Sequence, residues 1–253
     1  MKNFDGYFKS AFTVDNVIFG FDEGDLKILL IRRGEDPFKG EWALPGYFVR
    51  QDEDLDSAAK RVLRELTGLK NVYLEQVKTF GSVDRHPAGR VITVAYFSLV
   101  KISDFTLEAS SIADRVEWHS LKEAREMDLP FDHNKILDAC FVGLQWLVRT
   151  RPLGFELLPP KFTLTELQHL YESVLETKLD KRNFRKKILS MDLLVDLNET
   201  QEGVAHRPAR LYEFHRDKYE EFRDKGFNFE LKEGKKKENK RKKRKKKGVE
   251  QGA

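Results

Sequence analysis

The stretch Leu44-Pro45-Gly46-Tyr47-Phe48-Val49-Arg50-Gln51-Asp52-Glu53-Asp54-Leu55-Asp56-Ser57-Ala58-Ala59-Lys60-Arg61-Val62-Leu63-Arg64-Glu65-Leu66-Thr67-Gly68-Leu69 decides how the first half of the chain folds. Its second part reads as a helix from about Leu55 to Thr67, with Asp54 or Asp56 available to cap the start and Gly68 to stop it. Val62 and Leu66 stand four apart, so they share one face of that helix, and both are apolar. Upstream, Ala11–Phe21 and Leu26–Ile31 are β-rich runs flanking the acidic turn Asp22-Glu23-Gly24-Asp25, the pattern of a hairpin. Downstream, Val72–Val83 and Arg90–Lys101 read as further strands. A helix follows from about Asp132 to Arg149, capped by Asp132, with Ile136, Leu137, Cys140, Phe141, Leu144 and Leu147 on one face. Strands interleaved with two helices give a mixed α/β domain.

Residues Thr150 to Pro160 break this pattern. Arg151-Pro152-Leu153-Gly154 and Leu158-Pro159-Pro160 cannot continue a helix and read as a linker laid on a surface. Beyond it, Thr163-Leu164-Thr165-Glu166 is a capping box, opening a helix with Leu167, Leu170, Tyr171 and Val174 on one face. After the connector Glu176–Leu179 comes a second helix that Asp180 can cap. Then follow Leu193–Leu197, a polar loop from Asn198 to Pro208, and a strand from Ala209 to Phe214. Helix, turn, helix, strand, loop and strand is the order of a winged helix-turn-helix. In its second helix Phe184, Ile188 and Met191 share a narrow sector, while Arg182, Arg185 and Lys186 fall opposite. Such a basic face is either ordinary solvated surface or a surface for a DNA groove. The downstream strands favour the groove, because His206, Arg207 and Arg210 add cations on a wing. The expected DNA contacts are therefore Lys181, Arg182, Asn183, Arg185, Lys186, Arg207 and Arg210.

The bulk properties are compatible with this reading. The chain has 253 residues, 40% hydrophobic and 35% charged, enough for two domains with their own cores. No apolar run approaches the roughly 20 residues of a membrane span, and the N-terminus lacks a signal peptide's apolar segment. With Cys140 as the lone cysteine, a cytoplasmic location is expected. Lys232–Lys247 holds 12 Lys/Arg against Glu233 and Glu238, a local net of +10, so the rest of the chain nets −6 within a total of +4. The basic tail is either an extra source of salt-sensitive DNA affinity or a solubilising extension.

Residues 47–69 resemble the Nudix box, Gly-x5-Glu-x7-Arg-Glu-U-x-Glu-Glu-x-Gly-U with U aliphatic. Glu53, Arg61, Leu63, Glu65, Gly68 and Leu69 match at the right spacing, directly after Leu44-Pro45-Gly46. The resemblance implies a Nudix fold over roughly residues 10–149. The departures are Tyr47 for the box glycine, Val62 for the first box glutamate after Arg61, and Leu66 for the last. In the family these glutamates hold divalent cations against a diphosphate. A site built from hard oxygen ligands needs several converging carboxylates, and Glu65 alone does not supply them. No catalytic residue, metal or cofactor is therefore expected. The alternative is an active Nudix hydrolase cleaving a nucleoside diphosphate derivative; a third reading is an RNA-binding module. Glu53 and Arg61 either brace the loop and helix or are reused for ligand contact.

A degenerate Nudix domain followed by a winged helix resembles the Nudix-related transcriptional regulators. That resemblance implies a homodimer on a double-stranded DNA operator, and a small-molecule effector, a sugar or ADP-ribose-like compound, in the Nudix pocket. Phe19-Gly20-Phe21, Gly40-Glu41-Trp42, Phe80–Arg85 and Lys181–Lys186 resemble the sugar-catabolism, arabinose-responsive branch. The expected organisation is a sensing domain over 1–149, a linker over 150–160, a winged helix over 161–230 and a disordered basic tail over 231–253. Candidate effector contacts are Arg32 with its neighbour Arg33, Glu41, Trp42, Asp84 and Arg85, polar or aromatic residues at strand ends. Arg85 and Asp84 equally suit a turn ion pair, and Trp42 a place in the core. For Asp132, which precedes His133, the role of N-cap outweighs a catalytic role for its neighbour.

Overall fold

A computed structural model describes residues 10–225 apart from 23, 71, 105–106, 108–111, 152–156 and 205–206. The basic tail and His206 lie outside the described residues. The organising element is β1 (Ala11–Asp22), whose residues from Thr13 to Phe21 are all buried. Only a strand covered on both faces supports such an unbroken run. It pairs in parallel with β6 (Val91–Lys101) along its length, from Ala11 opposite Val91 to Phe21 opposite Lys101. On its other edge β1 has two antiparallel partners. Ile18–Asp22 meet β2 (Asp25–Arg33), and Thr13–Asp15 meet β4 (Gly46–Phe48). The sheet therefore forks at Asn16 and Val17, and the loop between β2 and β4 departs there. β3 (Trp42–Ala43) and β7 (Ala113–Ser120) pair with β2, and β5 (Tyr73–Phe80) with β6, giving a seven-stranded mixed sheet.

Alternate residues of β1 feed two helical layers. Val14 packs with Ala58, Ala59, Val62 and Leu66 of α1 (Leu55–Thr67). Val17 and Phe19 pack against Ile136, Cys140, Phe141 and Leu144 of α3 (His133–Thr150). The α1 boundaries follow the sequence: Asp54 accepts a hydrogen bond from Ser57 N at 2.7 Å, and Gly68 closes the helix at φ 78°. β7 and α2 (Leu121–Glu126) were not read from sequence, although Ser120 and Glu123 form a capping box at their junction. The expectation for Asp132 needs correction. It stands at the N-terminal boundary of α3 but makes no side-chain capping bond, with φ −109° and ψ 26°. Its carboxylate is engaged elsewhere.

The second half is a winged helix. Thr163 and Glu166 make the expected capping box at the start of α4 (Leu164–Leu175), and Asp180 caps α5 (Lys181–Ser190). β8 (Phe162–Thr163), β10 (Arg210–Phe214) and β9 (Leu194–Thr200) form a small antiparallel sheet. An unanticipated helix, α6 (Arg216–Lys225), follows. The linker does not simply lie on a surface: Thr150 ends α3, and Leu157 and Leu158 are buried. They belong to one apolar cluster that runs from Val17 through α3 and α4 to Tyr212. Gln145 Nε2 donates to Val174 O at 3.0 Å and Ser173 Oγ to Gly24 O at 2.9 Å across the same contact. Among the described residues no helix is long and apolar enough to cross a membrane.

Candidate functional site

Two buried arginines organise the region around the fork. Arg61, on α1, donates to both oxygens of Glu53 at 2.6 and 2.9 Å, to Phe48 O at 2.9 Å and to Glu65 at 3.0 Å. Arg50 N adds 2.8 Å to Glu53, and the Arg50 side chain lies 3.4 Å from Glu65. Hydrogen bonding to Arg61 holds the Glu53 carboxyl down at about 2. These contacts tie the box loop to its helix and consume both carboxylates. Val62 and Leu66 are 0% and 1% exposed, packed on Val14, Ala43 and Val94. A divalent cation does not fit here: two of the family's ligand positions are apolar core, and Glu65 faces an arginine. Among the described residues no group of three metal-ligating side chains occurs.

The second arginine, Arg85, donates to Asp132 at 2.7 and 3.1 Å and to Asp15 at 3.3 Å. Arg85 and Asp15 are buried, and the Asp132 side chain is only 10% exposed. Asp84 is not its partner, which corrects the turn-pair expectation. His133 completes the group: Leu44 N donates to its Nδ1 at 3.1 Å, and its Nε2 lies 3.6 Å from Asp15. Burial holds the His133 imidazole below its ordinary value, against the pull of Asp15 and Asp132. Gly46 is required beside it, because a Cβ there would stand 1.9 Å from Asp15 Oδ1. The adjacent Asn16 is fully buried, and neither of its amide atoms has a hydrogen-bond partner among the described residues; nor does Thr13 Oγ1.

Above this floor lies a cavity of about 240 Å³ lined by Thr13, Asp15, Arg33, Tyr47, Phe48, Arg85, His86, Phe131 and His133. A larger one of about 660 Å³, lined by Phe38, Glu41, Asp84, Arg85, Phe131 and Lys135 among others, shares Arg85 and Phe131 with it. Phe131, held at φ 60°, is the hub of an aromatic wall. It stacks on His86 at 5.0 Å, meets Phe38 edge-on at 4.9 Å and carries Arg33 over its ring at 5.2 Å. Burial lowers the Arg33 and His86 pKa values, so both cationic forms lack full hydration. Cations, a carboxylate network and aromatic faces at one mouth suit a ligand with phosphates, hydroxyls and a flat ring.

Of the expected contacts, Arg33, Glu41, Asp84 and Arg85 line these cavities. Arg32 and Trp42 do not. Arg32 is exposed and holds Gly40 O at 2.9 Å, and Trp42 packs edge-on against His119 at 4.9 Å beside the core. Of the strand-end pair, Arg33 lines the smaller cavity and Arg32 stays outside it, with the β2–β7 register shifting between the two. Phe131, His86 and Asp15 carried no motif and were missed.

On α5, Phe184 and Ile188 are buried, and Phe184 meets Tyr171 edge-on at 5.5 Å. Lys181, Arg182, Asn183 and Lys186 are exposed. Arg185 is not on that open face. It is half-buried, donates to Thr165 Oγ1 at 3.2 Å, and borders a groove of about 880 Å³ with Lys181 and Arg207. Arg210 is exposed but paired with Asp196 at 2.8 Å, across β9 and β10.

Family comparisons agree with this division. The NUDIX domain model matches residues 10–140, and the NrtR DNA-binding winged helix domain model matches residues 154–214. The chain is 39% identical over 219 residues to the ADPR responsive transcriptional repressor NtrR of Acinetobacter baylyi, covering 86% of this chain and 84% of that one. Its structure is similar to that of Shewanella oneidensis NrtR complexed with a 27mer DNA, with TM-score 0.70, 30% identity, and 86% and 97% of the two chains covered. The NUDIX domain of the Shewanella protein complexed with ADP ribose is similar with TM-score 0.52 and 31% identity, over 56% of this chain and 94% of that one.

Proposed function

The chain belongs to the NrtR family of Nudix-domain transcriptional regulators, and on that premise we propose that it is an operator-binding repressor whose Nudix half senses ADP-ribose without cleaving it. The observation that carries this reading is the pair Val62 and Leu66, 0% and 1% exposed where the active family places metal-binding glutamates. With those positions in the core, the pocket keeps the means to bind a diphosphate-bearing nucleotide and lacks the carboxylates to activate water on it. Arg33 and Lys135 at the mouth suit the diphosphate, and Phe131 with His86 suits a base. A free sugar of the arabinose type remains the finer reading the sequence suggested. Two relatives whose names carry ADP-ribose support the nucleotide instead.

DNA contact falls to the exposed face of α5, Lys181, Arg182, Asn183 and Lys186, with Arg207 on the wing side. Arg185 and Arg210 contribute once DNA replaces Thr165 and Asp196 as their partners. Two copies on an inverted repeat match the way helix-turn-helix dimers read half-sites.

The test is fluorescence anisotropy with a labelled duplex selected by this protein from random DNA. Binding should weaken steeply with salt, and the double variant Arg182→Ala/Lys186→Ala should lose at least about tenfold in affinity while unfolding at an unchanged temperature. ADP-ribose should shift the wild-type affinity, and L-arabinose should not. Magnesium-dependent release of phosphate or AMP from ADP-ribose at enzyme-like turnover would overturn the sensor reading, and unchanged affinity in the double variant would overturn the DNA-contact assignment.

A further inference from the structure

The sensing pocket and the DNA-reading helices are joined by more than their shared core. The segment that lines the larger cavity, Asp128 to Asp132, leads directly back into α2, whose last turn carries Arg125. Arg125 reaches out of the Nudix half and donates from Nη1 to Glu176 Oε1 at 2.7 Å. Glu176 is the residue that ends α4, held in the left-handed region at φ 49°, and it opens the connector from α4 to α5. One side chain thus spans from the helix at the pocket's edge to the turn of the helix-turn-helix.

The placement of Arg125 is not that of an ordinary surface cation. Its guanidinium lies over the Phe141 ring at 4.3 Å, and its Nε is 3.4 Å from Asp138, so α3 fixes the guanidinium from below. The pocket segment is fixed with equal care. Leu129 N donates to Asn134 Oδ1 at 3.0 Å, and Asn134 Nδ2 donates to Met127 O at 2.9 Å. These two bonds tie the segment that carries Phe131 to Met127, the residue that ends α2. On the far side, the buried Glu172 carboxylate accepts from Leu179 N at 2.9 Å and from Gln168 at 2.9 Å, so the connector that Glu176 opens is itself rigid up to Asp180. Arg125 and Glu176 make the direct contact; on one side Asn134 ties the pocket segment to Met127, where α2 ends, and on the other Glu172 ties Leu179, which precedes the cap of α5.

We infer that Arg125 is a positioning residue for the ligand response: its bond to Glu176 transmits the state of the pocket segment to the helix-turn-helix connector. This rests on the sensing function proposed above. Coupling between two sites requires a contact whose geometry differs between states, and this ion pair is the polar bridge between pocket and connector that both ends hold in register. An ion pair of this partial exposure carries little stability by itself, so its removal should alter communication more than folding.

The test uses the full chain, with Arg125→Met and Glu176→Gln. The second variant leaves Asp138 and Phe141 untouched, so a fault confined to the Nudix core is distinguishable. Anisotropy with the selected duplex is measured without and with saturating ADP-ribose. The factor by which ADP-ribose changes DNA affinity should shrink about threefold in each variant, with the double variant no worse than either single one. ADP-ribose affinity in the absence of DNA should stay within about twofold of wild type. In parallel, hydrogen exchange on Glu176→Gln should rise in residues 121–132, on the other side of the interface from the substitution. An unchanged coupling factor in both variants overturns the inference. If wild-type DNA binding ignores ADP-ribose, the proposed function fails and the ligand-response role of Arg125 falls with it, while exchange still decides the mechanical link from Glu176 to the pocket segment: a rise at 121–132 supports that link, and no change overturns it.

Discussion

Arg61 and Arg85 are equally buried, at 7% exposure each, and each is shared between two carboxylates, yet they serve different ends. Arg61 bonds groups close to it in sequence, and its partner Glu65 reaches water at 36% side-chain exposure. Arg85 joins β1 to the start of α3 through Asp15 and Asp132, whose side chains are 6% and 10% exposed. The first brace belongs to the Nudix-box stretch and holds its loop to α1. The second forms part of the pocket floor. The difference lies in what each cluster leaves unsatisfied. Around Arg61 the carboxylates are engaged, whereas beside Asp15 the hydroxyl of Thr13, which lines the cavity, has no partner among the described residues.

The sharpest way to break the comparison is to remove each cation. Arg85→Met strands two carboxylates that water hardly reaches and should cost about 3–5 kcal/mol of stability. Arg61→Met leaves Glu65 hydrated and should cost about half as much, since only Glu53 is left poorly solvated. Urea denaturation followed by tryptophan fluorescence measures both. Equal losses would mean that the two clusters do not differ in the way their exposure implies. The Arg85 variant should also lose ADP-ribose binding, and the Arg61 variant should retain it if it remains folded.

Gly46 offers a second route into the same cluster without touching a charge. Gly46→Ala places a methyl where Asp15 Oδ1 now stands, forcing the carboxylate off Arg85 or β4 off β1. Overpacking of this kind costs about 1–3 kcal/mol. Gly81→Ala is the control, with its nearest contact at an ordinary 3.7 Å, and should change the unfolding midpoint little. A Gly46 variant as stable as the Gly81 variant would show that Asp15 can relax away from its bridge.

What the sequence disclosed follows the same line. The Arg61 cluster was legible because its members recur at fixed spacing within 13 residues, and because helix periodicity with caps at Asp54 and Gly68 is a local signal. The winged helix was legible for the same reason, through the Thr163–Glu166 box, the Asp180 cap and the alternation of apolar and basic positions on α5. The Arg85 cluster was not. Asp15, Arg85 and Asp132 are separated by 70 and 47 residues, and nothing local distinguishes Asp132 from an ordinary N-cap. Arg32 and Arg33 were legible only as a pair at a strand end, because which of two adjacent strand residues faces a cavity depends on sheet pairing. Arg185 shows the complementary limit: its place on the helical wheel is correct, yet a neighbouring hydroxyl on α4 draws it off the exposed face. β7 escaped notice because its eight residues, Ala-Asp-Arg-Val-Glu-Trp-His-Ser, carry few apolar side chains. It is a strand because β2 offers it an edge.

The smallest expected effect is on pH dependence, and it separates the two clusters by pH range, the sign being the same for both. His133 is buried with its pKa lowered, chiefly by desolvation, while Asp15 and Asp132 pull it up and Arg85 and Arg33 push it down. The unfolded chain therefore takes up a proton on this residue at a higher pH than the folded chain does. Its contribution to stability is full above the ordinary histidine value near 6.5 and declines as the pH falls below it. Glu53 behaves likewise as a carboxylate but lower on the scale: with its folded value at about 2, its contribution is intact above about 4.3 and is lost between there and about 2. Melting curves at pH 7.5, 6.5 and 5.5 should show a loss of stability in which His133→Gln lacks one component, because glutamine supplies a neutral acceptor in place of the imidazole that Leu44 N now uses. Glu53→Gln should keep the wild-type slope over this range, although its absolute stability is lower. His86, also held low by burial, contributes in the same direction, so the slope of the His133 variant should be reduced rather than flat. An identical slope in wild type and His133→Gln would mean that the imidazole is no better solvated by the unfolded chain than by the Asp15 pocket, and the contrast between the two clusters would then rest on Arg85 alone.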